Sequence, residues 1–435
     1  MRNIKHEQIP EGIDDYIFKY RYSNHLKAHG YRYSGNKQQL VERIENMFND
    51  DIFYNSFLEF VKLEISNGKN RQIFFSRFEI SGLAILKDVT TVKNNLRANE
   101  LPSDNFNDLL RDDLEDGSLI YLNILSNSEE PSKTEKIELC FYKEVEPTED
   151  YTGDKDKFTD YIWVEINTNE QYVIVKVKPH TQQYVSNYHT SKKTYEYILE
   201  RLKTIFSLKR SNMIYFKEVF YKMFKEFTEA AEEPFRQIVN QKREEIFRFQ
   251  DTFLPSVGIS SDSDINDITN RYMRLIERNL IINDIHNYLR YHIDRAGVID
   301  RISLTDLSGA SANVLSGDSD GLDVANIYFD IRETIDEIKK LDKVWIKWFS
   351  GQIISSSALQ VQQQLELFEV EELEESEEEP EQSTLLEDEE SNTIITRLEV
   401  NKDYVVINFL KKYWISKEVQ DYVLSIIKEF EEKTS

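Results

Sequence analysis

A run of acidic residues divides this chain and limits what can fold on either side of it. Residues 364–393 contain fourteen aspartates and glutamates and no lysine or arginine. The charge of this segment is therefore −14, more than half of the formal net charge of −25. Because like charges repel and the run offers few apolar side chains for burial, such a composition is typical of a disordered segment. We therefore expect an acidic linker here, with a small unit following it.

The composition and the single cysteine narrow the class of protein and its compartment. The chain has 435 residues, of which 40% are hydrophobic, and this is enough for several buried cores. Cys140 is the only cysteine, which excludes an internal disulfide framework and cysteine-based zinc clusters and leads us to expect a cytoplasmic protein. The first residues lack the apolar region of a secretory signal. No apolar run approaches the length that spans a bilayer, so we expect no membrane partner. The abundance of Asn, Ile, Lys and Tyr favours a bacterial or phage origin.

Two segments of the chain share an order of strand, polar turn, strand and helix. At the C-terminus, the β-rich runs TIITRLEV and YVVINFLKKYW precede SKEVQDYVLSIIKEFEEK, whose apolar residues recur at helical spacing. Earlier, YIWVEI and YVIVKVKP precede SKKTYEYILERLKTIF. The shared order indicates either a distant internal repeat or a common ββα arrangement that occurs twice.

The rest of the body mixes strand and helix patterns. Four further runs are typical of strands: FLEFVKLEI, RQIFFSRFEISGLAIL, LIYLNIL and KIELCFYKEV. Helices are predicted for NFNDLLRDDLEDG, for residues 213–252 with a break or kink at Pro234, and for residues 264–295 and 324–349. The Ser, Gly and Asp content of residues 307–323 predicts a flexible loop.

These patterns together predict an α+β multidomain protein. We expect an N-terminal helical hairpin, a mixed α/β body with long helices and a small C-terminal ββα unit. The predicted divisions are a helical unit at 1–55, an α+β domain at 56–210, a mainly helical region at 211–363, the acidic linker at 364–393 and the ββα unit at 394–435.

A compact basic stretch stands near the start of this acidic protein. HLKAHGYRYSGNKQQLVERI, residues 25–44, contains Leu26 four residues before Gly30, then a turn, and then Gly35, Asn36 and Lys37 ahead of LVERI. This pattern resembles the SAP motif, a helix–loop–helix unit that binds DNA. Tyrosines stand at positions 22 and 31, where the family usually has leucine, so we expect an aromatic core in this unit.

The resemblance implies contact with the backbone of a DNA duplex. Ser34 could cap the second helix, whose free N–H groups and positive dipole suit a phosphate. Gly35 would permit close approach of that phosphate, and Lys37 would add a positive charge. An ordinary helical hairpin with a solvated basic face is the alternative. The candidate DNA-binding residues here are Lys27, Arg32, Ser34, Gly35, Asn36, Lys37 and Arg43.

A second basic stretch extends from Ile174 to Lys225, with eleven lysines and arginines against three glutamates. Lysines next to aromatic residues suit phosphate contact combined with stacking on bases. The competing interpretation is a set of exposed helix faces over a packed aromatic core. The interleaved tyrosines are Tyr184, Tyr188, Tyr195 and Tyr197, and the candidate DNA-binding residues are Lys192, Lys193, Lys209 and Arg210.

Signals for catalysis are weak. His292 to Arg295 has the His-x-x-Arg form of tyrosine recombinases, but no matching nucleophile context follows. His286 and His292 lie six residues apart, which does not place them on one helix face for a metal. VEINTNEQYVIVKVKP is similar to the hairpin of a restriction-type nuclease core, yet Lys176 stands two residues before Lys178, where an acid should be. No P-loop is present. We predict no catalytic residue, no metal site and no cofactor.

The sequence thus favours a non-enzymatic protein that binds double-stranded DNA and a protein partner. It would be an accessory or adaptor component of a bacterial or phage system for DNA handling or defence. Two alternatives stay open. One is an enzyme that processes nucleic acid through a diverged site in residues 56–350. The other is a scaffold protein that does not bind DNA.

Overall fold

A computed structural model gives the fold of most of the chain. The chain divides into two compact units. The first comprises the residues up to Met213 together with 401–421, and the second comprises 214–349, 393–400 and 422–434. The residues that the structure describes are 8–68, 71–79, 86–148, 158–179, 190–284, 296–306, 308–316, 321–322, 326–349, 393–410 and 414–434.

Helices and strands follow one another along the described chain. The helices are α1 Glu11–Asp14, α2 Lys19–Ala28, α3 Lys37–Glu45, α4 Asp51–Asn67, α5 Val89–Ala98, α6 Ser191–Phe206, α7 Phe216–Asn240, α8 Arg243–Ser256, α9 Asp262–Asn283, α10 Asn326–Ile338 and α11 Lys417–Glu432. The strands are β1 Gln72–Arg77, β2 Phe106–Asn107, β3 Leu119–Ser126, β4 Thr134–Val145, β5 Phe158–Asn167, β6 Tyr172–Val177, β7 Gly297–Thr305, β8 Ser311–Leu315, β9 Lys343–Phe349, β10 Thr393–Val400 and β11 Val405–Phe409.

The first unit is built on an antiparallel sheet with the strand order β2-β3-β4-β5-β6-β1-β11. Helices cover both of its faces. On β4, Leu139 and Phe141 pack in a core with the apolar sides of α5 and α6. Cys140, between them, packs in a second core with α1 to α4. This period-two alternation gives the sheet two separate helical layers.

The second unit combines helices with an antiparallel sheet of strand order β10-β9-β7-β8. Along β9, Val344, Ile346 and Trp348 alternate with less buried residues and face the core. The indole Nε1 of Trp348 donates a hydrogen bond to Thr396 Oγ1 at 2.8 Å, and the ring of Phe227 on α7 meets the indole edge-on. The long helix α7 therefore packs on this sheet through aromatic contacts.

The predicted α+β fold class is confirmed, and so are most of the predicted strands. The N-terminal helices, the strands LIYLNIL, KIELCFYKEV, YIWVEI and TIITRLEV, and the helices that follow the two ββ pairs all form. The boundary predicted at residue 55 falls inside α4. Of the two C-terminal strands, β10 belongs to the second unit and β11 to the first.

Three predictions of local structure are wrong. FLEFVKLEI, predicted as a strand, lies in α4, where Phe57, Val61 and Ile65 recur every fourth residue. The acidic NFNDLLRDDLEDG, predicted as a helix, contains the short β2 followed by turns. There the Asn107 side chain accepts a hydrogen bond from the Leu109 N–H, a local bond that competes with helix formation. Residues 324–349 contain a helix that ends at Ile338 and then the strand β9.

Two further predictions need correction. Residues 307–323 were expected to be a flexible loop, but they include β8, which pairs with β7 in register. The pattern over 213–252 forms two helices, α7 and α8, and the break lies at Gln241 and Lys242. Pro234 lies inside α7 without ending it. The predicted acidic linker lies outside the described residues, apart from Thr393.

Candidate nucleic-acid interface

The basic stretch near the N-terminus forms α2, a loop and α3. Gly30 and Gly35 have φ values of +76° and +138°, a backbone region that residues with a Cβ rarely adopt. Asn36 caps α3: its side chain accepts from the Gln39 N–H, and the Gln39 side chain accepts from the Asn36 N–H. The expectation that Ser34 caps this helix is therefore wrong. Ser34 Oγ instead accepts a hydrogen bond from Arg32 Nε at 3.3 Å.

Two of the predicted DNA-binding cations are engaged within this unit. Lys37 Nζ lies 3.1 Å from Asp14 Oδ2 and donates to the Asp14 carbonyl at 2.8 Å. Arg43 donates to the carbonyl oxygens of Arg32 and Ser34 at 2.5 and 3.2 Å. Both side chains thus hold α1 and the loop against α3. Their first role in this geometry is to fix the hairpin.

The cations that this hairpin presents to solvent are Lys27 and Arg32. Both are exposed, and they lie beside two partly exposed tyrosines, Tyr31 and Tyr33. Lys27 Nζ lies 5.4 Å from the centre of the Tyr33 ring. A pair of cations with neighbouring aromatic rings is suited to phosphate contact and base stacking.

The interior of the hairpin is aromatic, as the sequence predicts. Tyr22 is fully buried and stacks near Phe57, whereas Tyr31 stays at the surface. His25 lies among phenylalanine rings, with the Phe60 ring 4.7 Å away between centres. Burial is the main cause that lowers the pKa of His25 to about 4, and the neighbouring His29 lowers it further. His25 is therefore neutral at physiological pH and adds no charge to the surface.

A second cationic surface lies on α6 of the first unit. The helix begins after Thr190, whose side chain accepts a hydrogen bond from the Lys193 N–H. Its apolar residues face the sheet, which leaves Lys192, Lys193 and Lys203 exposed on the other side. The alternation of buried and exposed positions therefore gathers lysines that are spread over three turns of helix.

An exposed tyrosine lies among cations on this surface. Tyr197 retains 38% of its accessible surface, and Lys143 Nζ lies 4.7 Å from its ring centre. The Arg201 guanidinium lies 5.9 Å from the same ring and 4.6 Å from the Phe141 ring. Sequence reasoning did not select Lys143, because it is on β4, more than fifty residues before Tyr197. Only the pairing of strands brings it to α6.

A cleft of about 250 Å³ opens beside the last turn of α6. Lys203, Lys209 and Arg210 contribute to its lining, so two of the predicted DNA-binding residues meet here. Their charges are partly neutralised. Lys203 lies 3.0 Å from Glu200, and Arg210 lies 3.5 Å from Asp403. Glu200 and Asp403 line the cleft as well, and the remaining lining residues are Ser76, Phe78, Val173, Leu199 and Leu208.

The structure does not bring the two sets of predicted DNA-binding residues together. Lys27, Arg32 and the rest of the α2–α3 set belong to the helical layer on one face of the sheet. Lys192, Lys193, Lys209 and Arg210 belong to α6 and the turn after it, on the opposite face. The chain therefore has two separate cationic surfaces in its first unit.

The hairpin that is similar to a nuclease core contains a buried ion-pair ladder. Lys176 on β6 is 3% exposed, and its Nζ lies 3.2 Å from Glu165 Oε1 on β5 and 3.0 Å from Asn67 Oδ1. Lys136 on β4 lies 2.7 Å from Glu165 and 2.9 Å from Glu138. Glu165 is desolvated, but the two lysines outweigh this effect and hold its pKa at about 2. The charge of Glu165 is therefore engaged by two lysines in this structure.

The helices of the second unit enclose another set of charges. Glu232 on α7 is fully buried, accepts hydrogen bonds from Tyr328 and Arg236 at 2.5 and 2.8 Å, and pairs with Arg332. Burial raises the pKa of Glu232 to about 7, against the opposing effect of the arginines. Glu277 joins the network through Arg332 at 3.4 Å. These contacts link α7, α9 and α10.

One exposed acidic group has spacing suited to a cation. Ligand oxygens of Asp267, Glu333 and Glu337 lie within 4.8 Å of one another. Arg271 lies 3.3 Å from Asp267 and 2.8 Å from Glu333 and so neutralises part of this charge. The residues His286, His292 and Arg295 that the sequence singled out lie outside the described part of the chain.

Comparison with protein-family models, with curated proteins and with solved structures finds no match to this chain. Within the described residues, none of the helices combines the length and the apolar character needed to cross a bilayer. The two cationic surfaces of the first unit are therefore the features from which a function can be argued.

Proposed function

We propose that this chain is a non-enzymatic protein that binds double-stranded DNA and serves as an accessory or adaptor component in a bacterial or phage DNA-handling or defence system. The observation that carries the proposal is the outer side of α6. Lysines at 192, 193 and 203 are exposed there, and Tyr197 stands between Lys143 and Arg201. In a chain with a net charge of −25, such a local excess of cations favours a polyanionic ligand.

The chemistry of this surface supports contact with the DNA backbone more than recognition of bases. Lysine is a flexible point charge that neutralises phosphates without reading sequence. Each phosphate that is neutralised releases counterions, so affinity should fall steeply with salt. We expect weak binding with little sequence preference. Lys27 and Arg32 on the opposite face supply a second, smaller contact.

The α6 surface can be tested with two double variants that change the net charge equally. Lys192→Glu with Lys193→Glu should weaken binding of the full chain to a labelled random duplex. It should also reduce the slope of log affinity against log salt by about 2, because each lysine accounts for roughly one phosphate. The matched control is Lys242→Glu with Lys340→Glu in the second unit, whose side chains are 64% and 51% exposed.

Fluorescence anisotropy at low and moderate salt separates the outcomes. If the control variant lost as much affinity as the α6 variant, binding would reflect only the total charge, and α6 would not be the contact. If the unmodified chain failed to bind at low salt, the scaffold alternative without DNA binding would take the place of the proposal. The same double substitution at Lys27 and Arg32 measures the contribution of the N-terminal surface.

The expectation that the chain does not cleave DNA needs its own test. With plasmid and either magnesium or manganese, the purified chain should leave DNA uncut, because Glu165 is held in ion pairs with Lys136 and Lys176. Nicking that co-purifies with the chain and disappears on replacement of one carboxylate would favour the alternative of a nucleic-acid-processing enzyme.

A further inference from the structure

The segment of the second unit from the end of α7 through α8 and α9 carries many exposed apolar side chains. Between residues 238 and 282, eight large hydrophobic residues expose from 37% to 58% of their surface. The rings of Phe249 and Phe253 lie stacked at the surface, 5.9 Å apart between centres. Exposed apolar surface of this extent marks an interaction site more often than a bare surface. The eight residues are Ile238, Phe247, Phe249, Phe253, Val257, Tyr272, Leu275 and Ile282.

Helix α9 has two stripes of residues along its length, one buried and one more exposed. The inner stripe repeats every four residues and is buried: Ile265, Thr269, Met273, Glu277 and Ile281. The outer stripe has spacings of four and three residues in alternation, which is the heptad spacing of a coiled-coil seam. It consists of Ile268, Tyr272, Leu275, Asn279 and Ile282. One stripe packs within the unit, and the other is arranged to meet a further helix.

The size of the surface suits a second copy of this chain. A fully exposed aromatic side chain has about 150–250 Å² to bury. The six of these side chains that lie on α8 and α9, each a little under half exposed, therefore offer about 500 Å². A standard protein interface buries about 800 Å² from each partner. The exposed area is thus of the order that a stable dimer requires.

The charge of this region also favours self-association. Residues 241–284 carry six lysines and arginines and eight aspartates and glutamates, so they are almost neutral in a chain with a net charge of −25. Two copies can therefore approach here with little repulsion, whereas a strongly basic partner would find more negative charge elsewhere. The surface chemistry fits neither a polycation nor a polyanion.

The charges within α9 are arranged for an antiparallel partner. Its first turns carry Asp262, Asp264 and Asp267, and its later turns carry Arg271, Arg274 and Arg278. Two antiparallel copies would place the acidic end of each helix beside the basic end of the other. Arg271 and Arg274 also pair within the chain, with Glu333 and Asp336. The charges therefore set the orientation, and the apolar seam supplies most of the free energy.

We infer that α8 and α9 form the surface through which two copies of this chain associate as an antiparallel helical dimer. Asn279 lies within the seam, between Leu275 and Ile282, and its side chain donates to the Leu275 carbonyl of its own helix at 2.7 Å. A single polar residue in such a seam fixes register and the number of helices at some cost in stability. This inference is independent of DNA binding.

The test is the mass of the full chain in solution, measured by sedimentation from about 1 to about 100 μM, where a dimer should appear as concentration rises. Leu275→Glu with Phe253→Glu should weaken the dimer at least 100-fold, roughly the loss expected when one buried apolar side chain is removed. The control is Ile52→Glu in the first unit, an 80% exposed side chain far from the seam in sequence. It should leave the dimer intact. Circular dichroism and urea unfolding verify that each variant is folded.

The outcomes decide the inference. A folded seam variant that is monomeric, beside a dimeric control, supports it. A chain that is monomeric at every concentration overturns it, and binding of that monomer to lipid vesicles would then assign the surface to a membrane. A dimer that persists in the folded seam variant also overturns it. Asn279→Leu is the opposite test, because it replaces the polar residue of the seam with an apolar one. It should tighten the dimer or change the number of copies in the assembly.

Discussion

Replacing Glu165 should destabilise the first unit much more than replacing Lys176, although the two side chains form one ion pair. Removal of Lys176 leaves Glu165 paired with Lys136 at 2.7 Å. Removal of the Glu165 charge leaves Lys176 Nζ in the core with Asn67 Oδ1 as its hydrogen-bond partner among the described residues. The burial that lowers the pKa of Lys176 would then lose its main offset, the charge of Glu165, and keep only the smaller one from Asp421.

The magnitudes follow from what each substitution leaves behind. Glu165→Gln strands a buried ammonium, and the loss of one partner of a buried pair costs about 3–5 kcal/mol. Lys176→Met removes one charge-assisted hydrogen bond from a glutamate that keeps another, which costs about 1.5–3 kcal/mol. The double variant, with Glu165→Gln and Lys176→Met, leaves no stranded charge on β6. It should therefore be more stable than Glu165→Gln alone.

Hydrogen exchange of the amides in β5 and β6 is the suitable assay, because a chain of two units need not unfold in a single transition. Measured in the full chain, it gives the free energy of opening for these strands alone. Glu200→Gln is the control, since Glu200 forms an exposed pair with Lys203 and should change stability by less than about 1 kcal/mol. Equal losses for the two core substitutions, or a double variant that is the least stable of the three, would refute the reasoning.

Three further outcomes are expected. The pKa of His25 is lowered to about 4, so its contribution to stability is present above the unfolded pKa of about 6.5 and is lost as pH falls towards 4; urea midpoints should show this loss, and His25→Phe should remove it. The pKa of Glu232 is raised to about 7, so its contribution is present below about 4.5 and is lost as pH rises through 7; opening of α7 measured at pH 5 and pH 8 should become less pH-dependent in Glu232→Gln. Replacing residues 364–393 with a neutral Gly/Ser segment of equal length should tighten DNA binding at low salt, because these acids compete with phosphates for the same lysines; equal affinities in anisotropy titrations would make the segment a spacer.

The strands of the first unit were predictable because alternate residues of each strand pack in two different cores, one on each face of the sheet. In KIELCFYKEV, residues that pack towards α5 and α6 alternate with Cys140, which packs towards the N-terminal helices. The helix α4 was not predictable in the same way. It is buried over most of its circumference, including Leu58, Phe60 and Glu64, so the exposed strip formed by residues such as Asn55 and Glu59 is narrow and the helical period is hard to read from the sequence.

The end of α10 shows a second limit of sequence reasoning. The apolar pattern continues from the helix into β9 without a glycine or proline to mark a boundary. Lys339 adopts a left-handed backbone with φ +52°, a conformation that usually falls to glycine at the end of a helix. Tertiary packing imposes this end, since Val344, Ile346 and Trp348 must alternate to fill the core.

The sequence was enough to predict that the candidate site consists of lysines and arginines. It was only partly enough to predict the role of each of them. Counting charges located the basic stretches that contain Lys192 and Lys209. It could not show that Lys37 pairs with Asp14, which precedes it by twenty-three residues, or that Arg43 binds loop carbonyls. A lysine within a motif and a lysine at a surface look alike in sequence. Partners distant along the chain decide which of them is available for a ligand.

The separation of the two cationic surfaces restricts how the first unit can engage DNA. Lys27 and Arg32 belong to the layer on one face of the sheet, and Lys192 and Lys193 belong to the layer on the other. Because the two layers lie on opposite faces of the sheet, we expect that a straight duplex in contact with α6 does not also contact the α2–α3 loop. If both surfaces bind, their effects on one short duplex should be those of independent sites, and the chain would link two segments of DNA. If only one binds, we favour α6, because Lys193 and Lys203 form only exposed pairs within their own helix, whereas Lys37 and Arg43 bind carbonyl groups that fix the hairpin.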